Sequence, residues 1–185
     1  MQIARIIAPI HSLGPGEGVG LWVQGCSKKC IGCMSEEMQY FDINKNIPID
    51  FLASLLIQEA VRNNCNRLTI SGGDPFEQAE ELCKLLIEIR PHFSDILVYS
   101  GFTIEEIESS RLMHKCLEYV DVLVDGRYID GENTGSSRLY GSNNQKVHLF
   151  NNDLADDYQE FEMGDHLLET FIHNNTVITV GIQER

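Results

Sequence analysis

The chain has 185 residues, 43% of them hydrophobic and 23% charged, and a net charge of −14 at pH 7, a profile of one ordinary globular domain large enough to bury a core. Acidity on this scale repels phosphate backbones and excludes a general nucleic-acid binder, so most of the charge reads as solvated surface. The longest apolar runs, such as Phe51 to Ile57, fall far short of the roughly 20 residues that a bilayer requires; without an apolar, small-residue-terminated leader the chain is expected in the cytoplasm with its thiols reduced.

In chain order, the apolar run Leu21-Trp22-Val23 opens a strand over about Leu21 to Gly25 and leads directly into a cysteine-rich loop. A helix follows over about Asp50 to Asn63, a strand over Arg67 to Ser71, a helix over Glu77 to Arg90 and a strand over Ile96 to Ser100. Thr103 and Glu106 form a Thr-x-x-Glu capping box that starts the next helix. Strands over Tyr119 to Val124 and near Lys146 to Phe150 come next. An acidic stretch, Asp153 to Glu162, precedes two more strand-like runs. Strand-helix repetition predicts an α/β fold with a mostly parallel sheet and outer helices, either open or curled into part of a barrel. The pattern reads as one domain in all.

The loop is Cys26-Ser27-Lys28-Lys29-Cys30-Ile31-Gly32-Cys33, holding half of the six cysteines. Three thiolates so close can grip a metal centre, and three is one short of four, so a [4Fe-4S] cubane held here keeps one iron open to a small molecule. Structural zinc would need a fourth ligand, for which His11 is the nearby candidate. Cys83 lies at helical spacing with Phe76, Ala79, Leu82, Leu86 and Ile89 and reads as a small buried hydrophobe, as does Cys116. Cys65 sits in a turn, Asn63-Asn64-Cys65-Asn66, without a cysteine neighbour. One cluster is therefore expected.

In parallel α/β folds, ligands lie at the carboxyl ends of the strands. Here the first strand runs into the cysteine loop and the second into Gly72-Gly73-Asp74-Pro75, whose glycines permit close backbone approach. The third ends Tyr99-Ser100-Gly101 and the fourth ends at Asp125-Gly126. Each alone is an ordinary turn signal. Together they make a rim of thiolates, glycines, a hydroxyl and a carboxylate, able to hold a cluster beside a cofactor with amino, carboxylate and ribose groups; S-adenosylmethionine fits that description.

Cys26-x-x-x-Cys30-x-x-Cys33 and Gly72-Gly73-Asp74-Pro75 resemble the radical S-adenosylmethionine enzymes. Residues 14 to 150 resemble more narrowly the small single-cluster activating enzymes of anaerobic ribonucleotide reductase. The shared stretches are Gly14-Pro15-Gly16, Ser71 to Pro75, Val98 to Phe102, Val122 to Gly126 and Gly141-Ser142-Asn143-Asn144-Gln145. The resemblance implies a partial (β/α) barrel in which Cys26, Cys30 and Cys33 are the catalytic cluster ligands and S-adenosylmethionine chelates the fourth iron. A flavodoxin or ferredoxin-type donor would reduce the cluster. Cleavage to methionine and a 5′-deoxyadenosyl radical would then remove hydrogen from a glycine of a large glycyl radical enzyme, anaerobic ribonucleotide reductase or a relative. It also assigns Gly72, Gly73 and Asp74 to the methionyl amine, the backbone of Gly32, Cys33 and Met34 to the adenine, and Ser100 and Asp125 to the cofactor or an associated cation.

Two departures stand out. Met34 occupies a position that is usually aromatic in the family, and residues 151–185 extend past the resemblance. The run Asn175 to Ile182 is similar to the endings of a sibling group of small radical enzymes, which keeps open a peptide or small-molecule target. A non-catalytic iron–sulfur electron carrier is the alternative from another class, although such carriers usually supply four cysteines. Asn143 to Gln145 suggest no role.

Overall fold

In the computed structural model, residues 1–132, 135, 137–173 and 176–182 are described. Strands β1 (Ile3–Ile10), β2 (Gly18–Val23), β3 (Arg67–Gly72), β4 (Asp95–Tyr99), β5 (Val122–Asp125) and β6 (Lys146–Leu149) form one open sheet in sequential order. The pairings β2–β3, β3–β4 and β4–β5 are parallel, whereas β1 and β6 flank them antiparallel. Crossovers between the parallel strands carry the helices α1 (Ile49–Asn63), α2 (Ala79–Ile89), α3 (Ile104–Ser109) and α4 (Arg111–Leu117). The predicted α/β class and mostly parallel central sheet hold; β1 was not among the predicted strands, and among the described residues the sheet does not close.

Period-two alternation sorts the central strands into two faces. Leu21, Val23, Leu68, Ile70, Ile96, Val98 and Leu123 join the main core with Leu52 and Leu56 of α1 and Leu82 and Leu86 of α2. Complete burial of each leucine contributes roughly 1.5–3 kcal/mol. Cys83 and Cys116 are buried in that core as small apolar groups, and Cys65 lies behind Asn64, the left-handed residue that ends α1. On the other face, Leu97, Val122 and Val124 meet Tyr158 and Phe161 of α5 (Ala155–Met163). Ile10 and Trp22 meet Val180 of a hairpin formed by β7 (Glu169–His173) and β8 (Thr176–Val180). The acidic stretch thus becomes a helix by burying its two aromatics, and β8 realises the last strand-like run; its predicted first residue, Asn175, lies outside the described residues.

The capping box at α3 forms as predicted, with Thr103 accepting from the Glu106 amide and Glu106 from the Thr103 amide. β5 begins three residues later than its pattern suggested. The Tyr119 and Val120 amides bond back to Cys116 and Leu117, and the Asp121 carboxylate accepts from Arg90 at 2.5 Å and the Ile96 amide at 2.7 Å. No helix among the described residues is long and apolar enough to cross a membrane.

Candidate cluster site

The cysteine loop leaves β2 and is tied at both feet. The Gly25 amide donates to the Met38 carbonyl at 2.7 Å and the Cys26 amide to Gln39 at 2.9 Å, while the Gln24 side chain donates to Tyr40 O at 2.6 Å. Beside it, the Gly73 amide donates to Val23 O at 2.8 Å and the Asp74 amide to Gly25 O at 2.9 Å. A Cβ on Gly73 would stand 2.3 Å from the Gly25 carbonyl oxygen, so only glycine admits this approach. Within the loop Gly32 turns left-handed at φ 70°, and the Cys33 amide closes back on Cys30 O.

Cys26, Cys30 and Cys33 all line one cleft at the carboxyl ends of the strands, with Met34, Gly73 and Ser100 on its walls. Burial raises the Cys26 thiol, partly offset by the Lys28 amide; burial and then the neighbouring Cys33 raise Cys30. Binding a metal here therefore releases protons. Among the described residues, no three His, Cys, Asp or Glu side chains are grouped as the ligands of one metal ion; thiolates on separate corners of a cubane stand farther apart than ligands of one ion. His11 lies elsewhere, its Nδ1 2.9 Å from Glu169 and Nε2 3.3 Å from Glu17.

The other predicted residues divide. Gly32 and Gly72 shape the loop and the β3 exit from behind; a Cβ on Gly72 would strike the Val23 backbone at 2.5 Å. Asp74 lies at the cleft, but its carboxylate is fully buried and turned inward, accepting from the Phe76 amide (3.0 Å), the Ser100 hydroxyl (3.0 Å) and the Gly101 amide (2.9 Å). Burial pushes it up to about 6 against those hydrogen bonds. Ser100 is thereby committed to Asp74. Asp125 faces away from the cleft, accepting from the Ile104 amide at 2.6 Å and standing 3.2 Å from His148 Nε2; its neighbour Gly126 lines the cleft instead.

Several lining residues escaped sequence reasoning. Lys28 stretches over the Phe102 ring, 3.1 Å from its centroid, a cation held at the rim. Tyr99 and Tyr128 contribute to the cleft wall, and among the described residues their buried hydroxyls have no hydrogen-bond partner. The Asn144 amide donates to Arg127 O at 2.8 Å, and Gln145 donates to Gly126 O at 3.0 Å while accepting from Gly141 N at 3.0 Å. These two residues stitch the segment carrying Tyr128 against the following turn. The available signal was their place in a Gly-Ser-Asn-Asn-Gln run rich in side-chain amides.

The profile of a family described as "4Fe-4S single cluster domain" matches residues 12–148. The anaerobic ribonucleoside-triphosphate reductase-activating protein of Enterobacteria phage T4 is 33% identical over 72% of this chain and 85% of its own. Those of Haemophilus influenzae and Escherichia coli K12 are 29% and 27% identical, over 74% and 73% of this chain and 90% of each relative. The match spans the cysteine loop, the glycine turn and the Gly-Ser-Asn-Asn-Gln stitch, and the chain belongs to the 4Fe-4S single cluster domain family, in company with the activating proteins of anaerobic ribonucleotide reductase.

Proposed function

We propose that this protein is a radical S-adenosylmethionine activating enzyme whose open sheet is a partial barrel around a [4Fe-4S] cluster. The observation that carries the reading is the cleft itself: three thiols and a glycine cradle at the strand ends, with the Lys28 cation at the rim. Those groups fit an open-iron cluster with a polar cofactor beside it. When bound and reduced by one electron, that pair supplies a primary carbon radical able to take hydrogen from an unreactive C–H bond.

The chain's own residues then have distinct tasks. Cys26, Cys30 and Cys33 hold the cluster as thiolates. Gly73 lets backbone approach the methionyl end, and Lys28 offers a cation to its carboxylate. Tyr99 and Tyr128 supply wall surface to the space beside Cys33 and Met34, whose backbone is the proposed contact to the adenine. Asp74 positions Ser100 and Gly101 through hydrogen bonds, and Gly32 and Gly72 set the backbone path. Asp125 fixes the start of α3. Residues 1–150 form the radical core with 151–185 as an extension, one cytoplasmic domain served by a flavodoxin or ferredoxin-type donor.

The proposed hydrogen donor is a backbone glycine of an anaerobic ribonucleotide reductase, supported by the relatives' shared name. The test mixes the reconstituted, reduced protein and S-adenosylmethionine with that reductase under anaerobic conditions and reads the glycyl radical by electron paramagnetic resonance. A doublet that requires Cys26, Cys30 and Cys33 supports the assignment. Cofactor cleavage without a glycyl signal would redirect it to a peptide or small-molecule target.

A further inference from the structure

The segment leaving the C-terminal hairpin reaches the cysteine cleft at Ile182. Phe171 pairs with Ile178 across the hairpin, and these residues, with Val180 and Ile182, pack on the layer of Ile10, Trp22 and Met38. Met38 is the residue whose carbonyl anchors Gly25 at the foot of the cysteine loop. After β8, Gly181 takes φ 126° in a place where a Cβ would lie 2.3 Å from the Leu167 carbonyl oxygen. This close turn brings Ile182 into the cleft wall.

The open end of the hairpin, where Glu169 pairs with Val180, is fastened by the Glu169 side chain. One of its oxygens accepts from the His11 amide at 2.7 Å and the Ser12 amide at 2.8 Å, and the other meets His11 Nδ1 at 2.9 Å. A carboxylate receiving two backbone amides and a ring nitrogen is a firm attachment for a two-stranded hairpin, which on its own is marginal in water. The family match stops at residue 148, so the hairpin lies outside the stretch shared with the family.

We propose that this hairpin, latched by Glu169, carries Ile182 at its exit to a side wall of the cysteine cleft, and that Ile182 restricts access of small water-borne molecules to the three thiols from that flank. An aliphatic side chain at the wall excludes water and polar hydrogen donors, as a site that handles a carbon radical requires. The wall follows from packing alone, independently of which cofactor the cleft holds.

The experiment uses the 185-residue chain without metal. Iodoacetamide is added and the alkylation rate of each cysteine is followed by mass spectrometry. Ile182→Ala and Glu169→Ala are expected to speed modification of Cys26, Cys30 and Cys33 several-fold while Cys83 and Cys116, buried in the main core, stay slow. Ile182→Trp, which enlarges the wall, is expected to slow the three loop thiols, and it decides the matter if an alanine variant loosens all six cysteines. Loop-thiol rates unchanged in Ile182→Ala with a protected core, or unchanged in Ile182→Trp, would overturn the proposal. Because no cluster is involved, its failure is separable from failure of the radical mechanism.

Discussion

Asp74 shows how one side chain can shape a site without pointing into it. Replacing it by alanine leaves two amides and a hydroxyl without their acceptor, at a cost of about 2–4 kcal/mol in denaturant unfolding. Asp74→Asn keeps an acceptor oxygen and is expected to cost less. Arg67 is as buried: its guanidinium donates to the carbonyls of Leu13 at 2.6 Å, Ile10 at 3.1 Å and Gly16 at 3.3 Å, and to Thr69 Oγ1 at 2.5 Å. It gathers the Gly14-Pro15-Gly16 loop, and Arg67→Met is expected to cost about 3 kcal/mol or more by the same assay. Asp95, held up at about 6 by burial, accepts from Tyr158 through both oxygens. The protonated acid is favoured in the fold, so this contribution is complete below the unfolded value of about 3.9 and lost as pH rises through about 6. Asp95→Asn is expected to flatten stability against pH over that window; an unchanged slope would contradict the assignment. The cysteines and glycines were legible because spacing within a few residues defines them. Arg67 and the buried bonding of Asp74 were not, because the partners lie 54 and 26 residues away.

Among elements, α1 and α2 were readable from apolar spacing and the start of α3 from its capping box, whereas α5 was hidden in an acidic stretch because only Tyr158 and Phe161 of it are buried. β1 was hidden because its sequence, Ile-Ala-Arg-Ile-Ile-Ala-Pro-Ile, shows no clean alternation, and its place is set by pairing with β2. The β7–β8 attachment makes a pH prediction. Hydrogen bonding to Glu169 and then Glu17, against burial, holds His11 above its ordinary value, and the bonds from His11 and Ser12 leave Glu169 lowered despite burial. The histidine contribution is complete below about 6.5 and fades as pH rises through the raised value. The glutamate contribution is complete above about 4.3 and fades on further acidification. The latch is therefore tightest between those limits. Protection of the Ser12 amide in hydrogen exchange, corrected for intrinsic rate, is expected to fall above that window in the native protein and to stay level in His11→Gln. Equal pH dependence in both would rule out the histidine as the cause.

For the molecule as a whole, the parallel run β2–β5 brings four strand ends to one rim, which is why residues from positions 26 to 145 meet in one cleft. That convergence was legible from the strand–helix rhythm, but the inward turn of Asp74, the outward turn of Asp125 and the approach of Ile182 depend on three-dimensional packing that no local pattern encodes. The same packing separates the two sets of cysteines. Cys83→Ala removes a small group from the main core and is expected to cost about 1 kcal/mol of stability, with cluster chemistry intact. Cys26→Ala, Cys30→Ala and Cys33→Ala are each expected to leave the fold in place and abolish cofactor cleavage.

Anaerobic reconstitution with iron and sulfide, reduction, addition of S-adenosylmethionine and chromatography for 5′-deoxyadenosine and methionine test the central claim most directly. The account predicts equal amounts of both products from the native protein and from Cys83→Ala, and neither from the three loop variants. A reduced cluster whose spectrum is unchanged by S-adenosylmethionine, with no product formed even with the reductase present, would contradict it.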